Sequence, residues 1–186
     1  LYKLEVTGTE NIPKDGAIIV ASNHVTFIDW AFICAISKRP IRFIMHRDFI
    51  TLPMCGWFFK GAKVIPIAAR HEDYKCYENS FPLASQNLKE GLIVGIFPEG
   101  KITRDGEVNK FSAHGIERIM ADYPVPVVPV HIDGLWGSFF SKKEGTRNFK
   151  ALLNFRKKVK VSVGKIIMPE EFSTELLETK VRELKC

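Results

Sequence analysis

No stretch of this 186-residue chain is both long and apolar enough to cross a bilayer as a helix. The uncharged, strongly apolar stretch from Phe49 to Phe59 has eleven residues and is interrupted by Pro53 and Gly56. A spanning helix needs ~20. No charged and apolar leader precedes Leu1, so no secretory signal is expected. Cysteine is scarce, and Cys34, Cys55, Cys76 and Cys186 lie far apart. That excludes a disulfide framework and the paired spacing of zinc or redox motifs, and fits reduced thiols. Cys34 and Cys55 sit in apolar runs and read as small buried side chains rather than nucleophiles. The five histidines show no ligand spacing, so no metal is expected. Ser22 lies near His24 but lacks the glycine-flanked elbow of a serine hydrolase. No internal repeat or low-complexity tract is present.

What remains is the composition of one globular domain, 46% hydrophobic and 26% charged, large enough for a real core. The net charge of +6 is uneven. Nine of the 27 basic residues fall between Lys142 and Lys165 against the single Glu144, leaving the rest slightly acidic. Such a strip suits an anionic membrane surface, the phosphates of coenzyme A, an acidic carrier protein or a nucleic acid. It also suits the solvated face of a strand through Val159, Val161 and Val163. No nucleic-acid motif accompanies it, so no nucleic-acid partner is expected.

Apolar runs predict strands at Lys3 to Val6, Ala17 to Ala21, Ile41 to Met45, Lys63 to Ile67, Leu92 to Phe97, Val125 to Ile132 and Lys158 to Val163. Helical patterns lie between several of them: Phe27 to Ser37, Asp48 to Lys60, Ser80 to Glu90 with a serine cap and Pro82, Glu117 to Ala121, and finally Thr174 to Lys185. This alternation predicts a single α/β domain, a mostly parallel central sheet of about seven strands flanked by helices. Phe49 to Phe59 reads as a core helix, an acyl tunnel wall or an element dipping into lipid. Trp136, Phe139 and Phe140, beside Gly134 and Gly137, read as a lipid-facing edge.

Asn23-His24-Val25-Thr26-Phe27-Ile28-Asp29 follows the second apolar run. Residues just past the carboxyl end of a buried strand stand where open α/β sheets bind ligands. If Asp29 starts the next helix, its carboxylate can hold one imidazole nitrogen of His24 and leave the other free to take a proton. Five histidines and seven aspartates make one such spacing unsurprising, so a second signal is needed. Phe97-Pro98-Glu99-Gly100-Lys101-Ile102-Thr103-Arg104-Asp105-Gly106, after the run Leu92 to Ile96, supplies it. If both strands belong to one parallel sheet, His24 and this loop face one pocket. The glycines bring backbone close to a ligand, and Lys101 and Arg104 are cations suited to a phosphate.

Asn23-His24 with Asp29, then Phe97-Pro98-Glu99-Gly100, then Val125-Pro126-Val127-Val128-Pro129-Val130, resemble in order and spacing the sequence blocks of the glycerolipid and lysophospholipid acyltransferases. The resemblance runs from about Leu4 to about Lys165. It implies that His24 deprotonates an acceptor hydroxyl, that Asp29 orients it, and that the alkoxide attacks an acyl thioester without an acyl-enzyme. It also implies that Asn23, Glu99 and Gly100, with Lys101 or Arg104, form the acceptor site. Two departures stand out. The family's middle block carries an arginine that makes Arg70 a further candidate ligand of the acceptor phosphate, though Arg70 stands about one residue late, and many members have Thr-Arg directly after Glu-Gly, where this chain has Lys101-Ile102 before Thr103-Arg104. The basic residue after Gly100, with Gly134 to Phe140, looks most like the branch that reacylates lysophosphatidylethanolamine, often fused to a transporter-like or acyl-activating domain.

The expectation is therefore an O-acyltransferase of phospholipid synthesis or remodelling. It moves an acyl group from acyl-CoA or acyl carrier protein, as co-substrate with no cofactor, to a lysophospholipid hydroxyl. It works as a peripheral protein on the cytoplasmic face of a membrane. Residues 1–186 read as one acyltransferase domain excised from a longer membrane-associated protein. The nearest alternative acceptor is 1-acylglycerol-3-phosphate, and the alternative of another class is a noncatalytic lipid-binding docking module.

Overall fold

The structure, a computed structural model, describes residues 2–53, 56–138, 140–141 and 158–185. Strands β1 (Lys3–Thr7), β2 (Ile18–Ser22), β3 (Ile41–His46), β4 (Ile65–Ile67), β5 (Ile93–Ile96), β6 (Val127–Asp133) and β7 (Lys158–Val163) form one sheet in the order β1-β7-β6-β2-β5-β3-β4. Every pairing is parallel except β6 with β7. Helices α1 (Asp29–Ile36), α2 (Asp48–Thr51), α3 (Gly56–Gly61), α4 (Tyr74–Lys89), α5 (Ala113–Asp122) and α6 (Thr174–Glu183) cover both faces. The α/β class and the mostly parallel seven-stranded sheet are as the sequence predicts.

β2 shows why its run is continuously apolar. All five residues are buried, and they divide by the two-residue period of a strand. Ile19 and Ala21 pack with Phe81, Ala84 and Leu88 of α4, Ile116 and Ile119 of α5, and Leu177 and Val181 of α6. Ile18 and Val20 share the opposite core with Ile33 of α1 and Phe59 of α3. A strand covered on both faces has no polar position to alternate with.

Several elements differ from the sequence expectation. The helix predicted over Asp48 to Lys60 is two short helices, α2 and α3. Pro53 cannot continue a helix, and a Cβ at Gly56 would lie 2.4 Å from the Ile50 carbonyl oxygen. β4 starts at Ile65 rather than Lys63, because Lys63 takes a left-handed conformation (φ 50) at the turn before it. α4 begins at Tyr74 rather than Ser80: the Asp73 side chain caps it by accepting the Cys76 N–H, and Pro82 is carried inside. The burial of Phe81, Ala84 and Leu88 against the sheet outweighs the hydrogen bond that Pro82 removes. α5 is twice the predicted length, starting at Ala113.

The edge expected to face lipid is described in part, through Trp136 and Phe140. Trp136 is half-buried and packs on the Gly106 turn, where a Cβ would fall 2.7 Å from its Cγ. Phe139 lies outside the described residues, as do Met54, Cys55, Cys186 and residues 142–157, which hold most of the basic strip. Of that strip, Lys158, Lys160 and Lys165 are described, and Lys158 pairs with Glu5 on β1 at 2.7 Å. Among the described residues, no helix is long and apolar enough to cross a membrane.

Candidate active site

β2 and β5 are parallel neighbours, with Ala21 opposite Ile96, so the residues that follow them leave the sheet side by side. The chain after β2 turns sharply, and Asp29 becomes the first residue of α1. Its carboxylate reaches back over that turn and is fully buried. Oδ2 accepts the N–H groups of Val25 (2.6 Å) and Thr26 (2.9 Å) and lies 2.9 Å from His24 Nδ1. Oδ1 accepts the Thr26 hydroxyl at 2.5 Å. Backbone N–H groups can only donate, so Asp29 is held as an acceptor, and His24 Nδ1 meets it as a donor. The other imidazole nitrogen, Nε2, is then an available base. His24 is partly exposed and lines a cavity.

Glu99 approaches from the β5 side and grips the histidine from behind. Its Oε1 accepts the His24 backbone N–H at 2.7 Å. Its Oε2 accepts the backbone N–H of Asn109 at 2.9 Å and the Asn109 side-chain amide at 2.6 Å. The His24 carbonyl in turn accepts the Thr103 N–H at 2.9 Å. The loop from Glu99 to Asn109 thus clamps the backbone of His24 on both sides. Burial raises the Glu99 carboxyl above the usual carboxylate value, against the opposing pull of the N–H groups of His24 and Asn109. Gly100 turns the loop in a left-handed conformation (φ 65) that favours glycine.

The cavity has a volume of about 740 Å³. It runs from His24 along the α4 and α5 face of the sheet, where Ile44, Ile67, Tyr77, Phe81, Ile96 and Ile116 make its wall apolar. His24, His46, Lys101 and His114 also line it. Phe27 and Leu52, both exposed, belong to it as well. An apolar channel with a few cationic and basic groups suits an amphiphile with an anionic head.

The expected site residues fall into three groups. His24, Asp29, Glu99, Gly100 and Lys101 converge, with Lys101 exposed on the cavity lining. Arg104 is exposed and Arg70 lies over the Tyr74 ring, 5.6 Å from its centroid; neither lines the cavity. Asn23, expected to bind substrate, is buried with its amide engaged elsewhere: Oδ1 accepts the Ile132 N–H at 2.8 Å and Nδ2 donates to the Ile132 carbonyl at 2.9 Å. It imitates a strand residue and prolongs the β2–β6 ladder to the doorstep of His24.

Sequence reasoning passed over three others. His46 stands at the carboxyl end of β3, beside β5, and lines the cavity with Nε2 3.0 Å from Glu72 and Nδ1 3.3 Å from Asp48. The strand-end rule that singled out His24 selects it equally well. His114 lies in the first turn of α5, and Asn109 could be found only through its contact with Glu99. Burial pushes the Cys34 thiol up, away from nucleophilic use. Among the described residues no cluster of His, Cys, Asp and Glu could hold a metal ion.

Comparison with known proteins adds an independent line. Residues 3–133 match the profile of the family described as Acyltransferase. The chain is 28% identical over 148 residues to the chloroplastic 1-acyl-sn-glycerol-3-phosphate acyltransferase LPAT1 of Arabidopsis thaliana, a match covering 79% of this chain and 40% of that protein. It is 24% identical over 194 residues to the 1-acyl-sn-glycerol-3-phosphate acyltransferase of Bacillus subtilis, covering 98% of this chain and 88% of that one. The chain therefore spans about two fifths of the chloroplast relative but most of the bacterial one. The crystal structure of the 1-acyl-sn-glycerophosphate acyltransferase PlsC from Thermotoga maritima superposes with a TM-score of 0.79 at 25% identity, over 98% of this chain and 71% of that chain.

Proposed function

Because the chain belongs to the acyltransferase family of glycerolipid enzymes, we propose that it transfers a fatty acyl group from an acyl thioester to the free hydroxyl of 1-acylglycerol-3-phosphate. The observation that carries this reading is the His24–Asp29 pair, 2.9 Å apart, opening on the same apolar cavity as Lys101. The names of the relatives support this acceptor over lysophosphatidylethanolamine.

In the reaction, His24 Nε2 removes the proton of the acceptor hydroxyl as its oxygen attacks the thioester carbonyl carbon. A C–O bond forms, the tetrahedral intermediate collapses, and the C–S bond breaks. The departing sulfur takes the proton back from His24, so no acyl-enzyme is formed and no cofactor is consumed. Asp29 holds the ring and stabilises the imidazolium between the two transfers. Lys101 binds the acceptor phosphate, with His46 and His114 elsewhere on the same cavity lining. The apolar wall from Ile44 to Ile116 receives the acyl chain. Acyl-CoA and acyl carrier protein both supply the thioester this chemistry requires. The protein works at a membrane surface, with exposed Leu52, Trp57 and Phe58 on the lipid side.

The test is thioester-dependent acylation of lysophosphatidate and of lysophosphatidylethanolamine in mixed micelles, with the unmodified protein and His24→Ala. Lysophosphatidate is expected to be the better acceptor, and turnover is expected to fall by at least about a thousandfold in the variant. A preference for lysophosphatidylethanolamine would overturn the acceptor, and equal turnover in both proteins would overturn the role of His24. Lipid binding without turnover would favour a docking module instead.

A further inference from the structure

The hydrogen bond to Asp29 fixes one point of the His24 ring but not its plane. A ring held by one nitrogen can still tilt about that contact, and a general base off line by a small angle loses reach to the proton. The structure supplies a second constraint. His24 lies face to face with Phe97, with ring centroids 4.2 Å apart and planes 13° from parallel. Phe97 lies in turn over Phe43, at 5.5 Å and 18°. The three rings form a column from the core to the catalytic edge of the sheet.

The floor of the column explains a residue that otherwise weakens its strand. Gly95 sits in the middle of β5, between Val20 and Phe43 in the register. Glycine inside a central strand costs stability and packs nothing, so its presence signals close approach by a neighbour. Here the neighbour is Phe43: a Cβ at position 95 would lie 2.5 Å from both Cδ1 and Cε1 of that ring. Phe43 is buried, and the missing side chain at Gly95 lets it lie flat beneath Phe97.

We propose that Phe97 is a positioning residue for proton transfer. Supported by Phe43 and Gly95, it fixes the plane of the His24 ring and presents an aromatic face to the imidazolium that forms as the proton is transferred. The ring is neutral when it awaits the hydroxyl and positive once it has taken the proton. An aromatic face attracts the second state more than the first, so the stack acts mainly on the transition state. Asp29 acts at the edge of the imidazole and Phe97 on its face, so the two constraints are independent. The catalytic part of this proposal rests on the acyl-transfer reading above.

The test compares the unmodified protein with Phe97→Leu, Phe97→Tyr and Gly95→Ala. Phe97→Leu is expected to lower kcat about tenfold, a larger effect than any on the acceptor KM, while Phe97→Tyr retains activity. Thermal unfolding of the two Phe97 variants is expected at similar temperatures, because leucine fills the space but offers no aromatic face. Gly95→Ala should lose kcat in the same sense, and the Phe97 pair decides the matter if that variant does not fold. Proton NMR gives a readout that needs no turnover. The carbon-bound ring protons of His24, identified by their loss in His24→Ala, should resonate upfield and move back in Phe97→Leu. Wild-type kcat in Phe97→Leu, or an equal fall in Phe97→Tyr, would overturn the proposal. Absence of the upfield shift in the unmodified protein would overturn the stack itself. The expected upfield shift with no turnover in any of the proteins would overturn the acyl-transfer reading, and with it the catalytic part of the role.

Discussion

At the scale of single residues, the site rests on two carboxylates with different tasks. Asp29 holds the imidazole edge, and Glu99 holds the backbone from which the imidazole hangs. The sequence points to both but separates them poorly, since a motif glutamate beside two cations reads as part of an acceptor pocket. The structure gives Glu99 three N–H donors and no place on the cavity lining. Glu99→Gln tests the distinction, because one of the facing N–H groups would then meet an amide donor. Stability is expected to fall by roughly 1–3 kcal/mol and kcat by about tenfold, with the acceptor KM little changed. Kinetics across acceptor concentration check it, since a direct acceptor contact would raise KM instead.

At the scale of elements, the paired short helices α2 and α3 are the part least like its expectation. The stretch from Phe49 to Phe59 is apolar on all sides, which agrees equally with core, tunnel and lipid contact. The structure distributes its residues among core, cavity lining and exposed surface. Phe59 enters the core, Phe49 and Leu52 line the cavity, and Trp57 is left 74% exposed beside exposed Phe58. Two adjacent aromatics facing solvent carry a free-energy cost that contact with lipid removes. The double variant Trp57→Ser, Phe58→Ser is expected to bind anionic vesicles at least about tenfold more weakly. Its turnover of a short-chain, monomeric acceptor should match that of the unmodified protein. Vesicle sedimentation and that assay, run side by side, check both halves.

At the scale of the whole molecule, distant segments are tied together near the site by α6. Glu178 Oε2 accepts the Phe111 N–H at 2.8 Å, and Oε1 accepts from Arg182 at 2.9 Å, joining α6 to the chain that enters α5. Burial raises its carboxyl, but the Phe111 N–H and then Arg182 outweigh this and hold it below the usual carboxylate range. A group depressed in the folded state contributes stability above its unfolded value and loses it as pH falls through the folded one. The protein is therefore expected to lose stability on acidification through and below the ordinary glutamate range. Glu178→Gln should cost about 1 kcal/mol at neutral pH and flatten that acid slope. Urea unfolding at a series of pH values checks the magnitude and the sign.

The sequence by itself determined the strands, the α/β class and the His24–Asp29 pair, because each rests on short-range information. A buried strand announces itself by an unbroken apolar run, and five residues across a tight turn are enough to bring a carboxylate back to an imidazole. Only the tertiary structure decided that β5 lies beside β2, so that Glu99 reaches the His24 N–H across 75 positions of chain. The same packing turned Asn23 toward Ile132, set His46 on the cavity lining, and stacked Phe43, Phe97 and His24 above a glycine. These follow from strand order, which is chosen by the burial of remote segments against one another and leaves no periodic trace in any one of them.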